Sequence, residues 1–162
     1  MTAPVSTLAL GDFGRGRITD FATEFYRALG DTGFVSITEH GIDLGRLHEA
    51  YDTVAAFFEQ DDDAKACYMV GTDGQRGYTP FGREHAKDAN VPDLKELWHA
   101  GRDTIAPNVW PDEPEAFREA VAWLYDSLDH TGLMLLRALT GPLALPSYYF
   151  DTMAAGGNSI LR

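Results

Sequence analysis

Between Phe117 and Leu139 the apolar residues Phe117, Val121, Leu124, Leu128, Leu135 and Leu139 fall on one helical stripe. Leu133, Met134 and Leu136 extend that stripe until the second half is apolar nearly all round, the pattern of a helix that becomes buried. Gly141 and Pro142 stop it, and Asp112 with Glu115 three residues later resembles a capping box in which Pro114 is tolerated in the first turn. A helix this long and this apolar needs neighbours to cover it. The chain is therefore expected to be organised around a helical spine, and 162 residues with 44% hydrophobic content suffice for one domain with a real core.

The segments before the spine alternate in character. Val5, Thr7 and Ala9 read as a short strand closed by Gly11. Ile18, Phe21, Ala22, Phe25 and Leu29 recur every three or four residues, which predicts a helix ending at Gly30 or Gly33. Phe34 to Thr38 is β-branched and aromatic and is expected to be a buried strand ended by Gly41. Asp43 is placed to cap a further helix whose expected face is Leu44, Leu47, Tyr51, Val54, Ala55 and Phe58. Asp61, Asp62 and Asp63 lack the ligand spacing and central glycine of a calcium loop, and read as the acidic first turn of a short helix through Lys65 and Cys67. Cys67, the single cysteine, can form no internal disulfide and is expected to be a small buried filler.

The stretch from Gln75 to Asp103 fits neither period. Gly77 and Gly82 bracket Tyr78, Thr79, Pro80 and Phe81, putting two large rings on a segment suited neither to a helix nor to a central strand. Either the rings plug neighbouring helices or the loop has a binding role. Leu94, Leu97 and Trp98 are ambiguous between helix and strand, with strand favoured near Trp98, and Trp110 in the proline-rich connector after it is a packing anchor. Ser147 opens a last short helix, and Gly156-Gly157 turns the chain into Asn158–Arg162, which begins like a strand.

Charge narrows the function classes. With Lys plus Arg 13 against Asp plus Glu 25, the formal net charge is -12 and the basic residues form no stripe, which argues against a nucleic-acid partner. The most apolar run, around Leu133–Leu145, is broken by Arg137 and Pro142, which argues against a membrane span, and the opening residues lack a secretory pattern. A cytoplasmic protein is expected.

Four motifs in order, GFVSITEHGI, GYTPFGREHAKDANVPDLKELWHAGRD, NVWPDEPEAFREA and YYFDTMAAGGNSILR, carry a resemblance to the N-terminal region of the isopenicillin N synthase-like 2-oxoglutarate- and Fe(II)-dependent dioxygenases, covering about Val5 to Arg162. The resemblance implies an α+β fold: a mostly helical N-terminal region, residues 1–154, that packs against a double-stranded β-helix or jelly roll, with residues 155–162 as the first strand of that jelly roll. It also implies that Fe(II) and 2-oxoglutarate belong to the complete enzyme and are held by the jelly roll. None of the five histidines here stands in a His-X-Asp pair, so no metal or catalytic residue is expected in these 162 residues, and no cofactor is expected on the chain alone. What the family places near this loop is the substrate mouth. Gln75, Tyr78, Thr79 and Phe81 are accordingly the expected substrate-binding residues, while Gln75 and Thr79 depart from the side chains that hold the peptide in isopenicillin N synthase. Glu84, Asp93, Lys95 and Glu96 are expected to brace the loop through hydrogen bonds and ion pairs.

The resemblance thus implies the N-terminal half of an oxygenase that oxidises a small-molecule C–H bond while 2-oxoglutarate is decarboxylated, inactive without a jelly-roll half supplied elsewhere. A non-catalytic interaction module is the alternative, and a metal site built from Glu84, His85, Asp93 and His99 is a third reading.

Overall fold

The structure is a computed structural model that describes residues 4–15, 18–70, 75–83, 91 and 93–162. The fold is α+β, and the chain divides into two compact units. One consists of Met1–Ile42 with Ser127–Gly157, the other of Asp43–Asp126 with Asn158–Arg162.

In the first unit β1 (Ser6–Ala9) runs straight into α1 (Leu10–Gly14), and α2 (Ile18–Thr32) leads to β2 (Val35–Thr38). The two strands pair in parallel, Ser6 opposite Val35 and Ala9 opposite Thr38. The α2 face is the one its spacing predicts except at its first residue, Ile18, which is 51% exposed: Phe21, Ala22 and Phe25 are buried with Leu10 and with Ala138 of α5 (Phe117–Thr140), joined by Ile37, Met134 and Leu139. Two expectations need correcting. β2 is not buried: Val35 and Ile37 are half-covered, Ser36 and Thr38 are exposed, and Phe34 keeps 71% of its surface. Helices cover one face of this two-stranded sheet, so alternate residues face out. The second half of α5 is one-sided as well. Ala138 is buried, whereas Leu128 and Leu136 are 42% and 37% exposed. Behind α5 the chain turns into α6 (Tyr149–Ala155), tied back where the Arg137 guanidinium donates through Nε to Asp151 at 3.0 and 3.1 Å.

In the second unit Asp43 caps α3 (Leu44–Phe58) as expected, its carboxylate accepting from Arg46 N–H at 2.9 Å. The buried stripe is rotated from the expected one. Ala50 and Phe57 face the core with Val54 and Phe58 beside them, while Leu44 and Tyr51 are 60% and 66% exposed. α4 (Asp62–Ala66) follows with Asp62 and Asp63 in its first turn. Cys67 just beyond it is exposed rather than buried, its thiol turned back to the Asp63 carbonyl. α5 begins at Phe117, later than the capping-box pattern suggests, because residues up to Ala116 form a separate turn closed by Phe117 N–H to the Pro114 carbonyl at 2.9 Å.

An aromatic cluster forms this unit's core. Phe57 and Phe117 are completely buried, and both rings pack on Trp98 with centroids 4.9 Å away at steep angles, the edge-to-face arrangement aromatic quadrupoles favour. Each fully buried phenylalanine is worth about 2–3 kcal/mol of transfer free energy. Against this core lies an antiparallel sheet in the order β3 (Gly77–Thr79), β4 (Leu97–Gly101), β5 (Ile160–Leu161). The strand preference near Trp98 is therefore correct. Tyr78 pairs with Trp98 and Ala100 with Leu161. The Gly77–Thr79 segment is a strand too, placed at the edge where Pro80 can end it without costing the sheet a bond.

Candidate functional site

The Gln75–Phe81 segment is shaped by what its neighbours leave room for. Gly77 has φ +70, and a Cβ there would stand 2.4 Å from the Tyr68 carbonyl oxygen, so both its conformation and its contact require glycine. That carbonyl accepts from Tyr78 N–H at 3.0 Å. With the backbone fixed this way, the middle of the segment is buried and its ends are not: Tyr78 and Thr79 are 5% and 4% exposed, whereas Gln75 is exposed and Phe81 keeps 55% of its surface.

Tyr78 is a core residue with a polar end. Its hydroxyl donates to Glu96 Oε2 at 2.6 Å, and the same oxygen receives the Lys65 ammonium at 2.9 Å. Lys65 is almost fully buried and also reaches the Phe58 carbonyl at 3.2 Å and Asp62 at 3.2 Å. Burial by itself would push the lysine pKa down, but the hydrogen bonds to Glu96 and Asp62 outweigh it and leave the ammonium above its ordinary value. Burial and the Glu96 carboxylate together push the Tyr78 phenol up to about 12. Tyr78 is thus a neutral donor at physiological pH. Glu96 performs the bracing role its motif suggests, and Lys95 pairs with Asp93 at 2.8 Å. Glu84 and His85 lie outside the described residues.

Three residues that periodicity does not mark complete the site. Arg76 is 5% exposed and lies over Gly101, where a Cβ would come within 2.6 Å of its guanidinium carbon. Nη1 donates to the Gln75 carbonyl at 2.7 Å, Nη2 to the Arg102 carbonyl at 3.1 Å and Nε to the Ala106 carbonyl at 3.3 Å. Nη2 also reaches Asn158 Oδ1 at 3.4 Å, and Asn158 Nδ2 donates to Gln75 Oε1 at 2.8 Å. Asn108 then fixes the turn after β4, accepting from Gly101 N–H at 2.8 Å and donating to the Gly101 carbonyl at 2.6 Å. The sequence signal for Arg76 is only a charge beside a glycine. For Asn108 and Asn158 it is an asparagine in a turn, a place where asparagine is common for local reasons.

Of the expected site residues, Gln75 and Phe81 stand at the surface of this segment, while Tyr78 and Thr79 face inward. His40 accepts at Nδ1 from Ile42 N–H at 3.1 Å, a contact within the turn after β2.

The chain belongs to the family described as non-haem dioxygenase in morphine synthesis N-terminal, whose pattern matches residues 4–113. It is similar to a 2OG-Fe(II) oxygenase family protein from Caulobacter crescentus, 35% identical with a TM-score of 0.85, covering 98% of this chain and 55% of that one. It also resembles the 2-oxoglutarate-dependent dioxygenase ucsF of Acremonium sp., 25% identical over 170 positions, covering 96% of this chain and 50% of that protein. The full-length Neurospora crassa T7H in complex with alpha-KG and thymine shares the fold, with a TM-score of 0.83 at 22% identity, covering 96% of this chain and 53% of that one. The chain thus spans about half the length of the relatives it matches.

The names of these relatives carry Fe(II) and 2-oxoglutarate. Among the described residues no three His, Cys, Asp or Glu side chains come together to hold a metal ion, so the described residues do not fit an iron site. Nor, among the described residues, is any helix long and apolar enough to cross a membrane.

Proposed function

We propose that this chain is the N-terminal half of a 2-oxoglutarate- and Fe(II)-dependent oxygenase that oxidises a small-molecule C–H bond as 2-oxoglutarate is decarboxylated. Iron and 2-oxoglutarate would be held by a jelly roll that residues 155–162 lead into through β5 (Ile160–Leu161), with residues 1–154 as the helical region against it. This chain's part is scaffold and one edge of the substrate mouth, formed by Gln75 and Phe81 at the surface with Tyr78 and Thr79 holding the segment from within. The observation that carries this reading is the 35% identity to the Caulobacter crescentus oxygenase family protein across 98% of the chain, at a TM-score of 0.85.

Two measurements test it. Sequencing the reading frame beyond the Arg162 codon is expected to show a strand completed by a tyrosine and, further on, a His-X-Asp pair; a frame encoding neither rejects the proposal. Purified 162-residue chain supplied with Fe(II) and 2-oxoglutarate is expected to yield no succinate above a metal-only blank, and clear production would put the chemistry in this half instead.

A further inference from the structure

We infer that Asn158 is a positioning residue that turns the Gln75 amide so that Nε2 faces outward as a hydrogen-bond donor, and that the small molecule taken at this edge meets it with an acceptor oxygen, a carboxylate before any other. The inference deepens the reading of Gln75 as a substrate contact and rests on it.

The direction of the relay follows from Arg76. A guanidinium has only donors, so the Asn158 atom facing Arg76 Nη2 must be the oxygen. The Asn158 amide nitrogen then points the other way and donates to Gln75 at 2.8 Å, so the Gln75 atom it meets must be Oε1. Gln75 Nε2 is left with two N–H groups that have no acceptor among the described residues, on a side chain exposed to solvent. An amide can ordinarily present either end to a ligand; here the buried cation selects one. The preference for a carboxylate comes from charge. Arg76 bonds to three backbone carbonyls and one amide oxygen, and among the described residues no carboxylate pairs with it, so within them its positive charge is balanced by no anion beside Gln75. A ligand that instead offered a hydroxyl or amine proton would meet N–H groups with nothing to accept it.

Side-chain amide NMR of the 162-residue chain tests the orientation. The Asn158 Nδ2 protons are expected to be shifted downfield and slow to exchange, and the Gln75 Nε2 protons to behave like those of free glutamine. Gln75→Glu, whose carboxylate still accepts, keeps the Asn158 shift. Asn158→Asp, which can no longer donate, lets Gln75 turn over and protects its amide protons instead. Protected Gln75 protons in the unsubstituted chain, or loss of the Asn158 shift in Gln75→Glu, overturn the relay.

Acetate tests the ligand chemistry. At constant ionic strength, sodium acetate is expected to move the Gln75 amide signals saturably while methylammonium chloride does not, and Asn158→Asp to weaken the acetate response about fivefold, the effect of one hydrogen bond of modest net strength. Equal responses to both probes, or none to acetate, overturn the acceptor assignment. The amide signals of the unsubstituted chain decide the orientation even if a variant fails to fold. Neither arm depends on what lies beyond Arg162, so failure here is distinguishable from failure of the oxygenase reading.

Discussion

Tyr78 donates its hydroxyl proton to the Glu96 carboxylate at 2.6 Å, and that contact joins edge strand β3 to the residue just before β4 within a nearly closed interior. Glu96 Oε2 also holds the Lys65 ammonium at 2.9 Å, so one oxygen carries a phenol and a cation at once.

Removing that oxygen should cost far more than removing the Tyr78 hydroxyl. Glu96→Ala leaves a buried ammonium with only Asp62 and a carbonyl, and is expected to destabilise the chain by about 3–5 kcal/mol, the usual penalty for an uncompensated buried charge. Tyr78→Phe removes one neutral donor and keeps the ring, for about 1 kcal/mol. Urea unfolding of the two variants checks this. Equal losses would show that Lys65 is already satisfied without Glu96.

The same cluster sets an alkaline limit. Lys65 and Tyr78 both bind their protons more tightly in the folded state than at their ordinary values of 10.5 and 10.0. For both groups the stabilisation is complete below about pH 10 and is lost as pH rises through the folded values. The urea midpoint is therefore expected to fall between pH 10 and about 12, where the Tyr78 phenol titrates. Tyr78→Phe should make that fall shallower. A midpoint flat over this range would contradict the cluster as described.

Gly77 and Gly33 separate conformation from contact. Both have positive φ, +70 and +75, but nothing lies within 4 Å of a Cβ at Gly33, whereas one at Gly77 meets the Tyr68 carbonyl. Gly33→Ala should cost about 1 kcal/mol for the left-handed backbone alone. Gly77→Ala should exceed it by at least about 1 kcal/mol, because the chain must move as well. Thermal or urea melts of the pair measure the difference.

Cys67 offers a simple check on the surface. Its thiol is exposed, so Ellman's reagent should modify one thiol per chain under native conditions, without denaturant and without loss of helical circular dichroism. Reaction only after unfolding would place the side chain in the core.

Periodicity recovered the elements better than it recovered their faces. α2 has the predicted face because Phe21, Ala22 and Phe25 are large or closely fitted and their spacing allows no second choice. In α3 two stripes compete, and the one containing Tyr51 is the more apolar by eye; Ala50 and Phe57 win because Phe57 fits among Trp98, Tyr78 and Phe117, partners distant in sequence. Cys67 looks like core in the sequence because it is a small apolar residue beside a tyrosine, but α4 ends one residue before it and leaves it exposed. At the candidate site, glycines and aromatics announced an unusual segment, and the DLKE motif pointed to Glu96. The roles of Lys65, Arg76 and Asn158 depend on partners as far as 83 residues away, and no local pattern encodes them, while Asn108 acts within seven residues through a turn that many asparagines could make.

The guanidinium resting on Gly101 has a practical corollary for protein engineering. Position 101 has no space for even a methyl group while an arginine occupies position 76, and that arginine is anchored from Asn158 near the opposite end of the chain. Anyone transplanting the GY segment into another scaffold should move positions 76, 101 and 158 as one set. A graft that carries the aromatic residues alone would import the visible part of the site without its hinge pin.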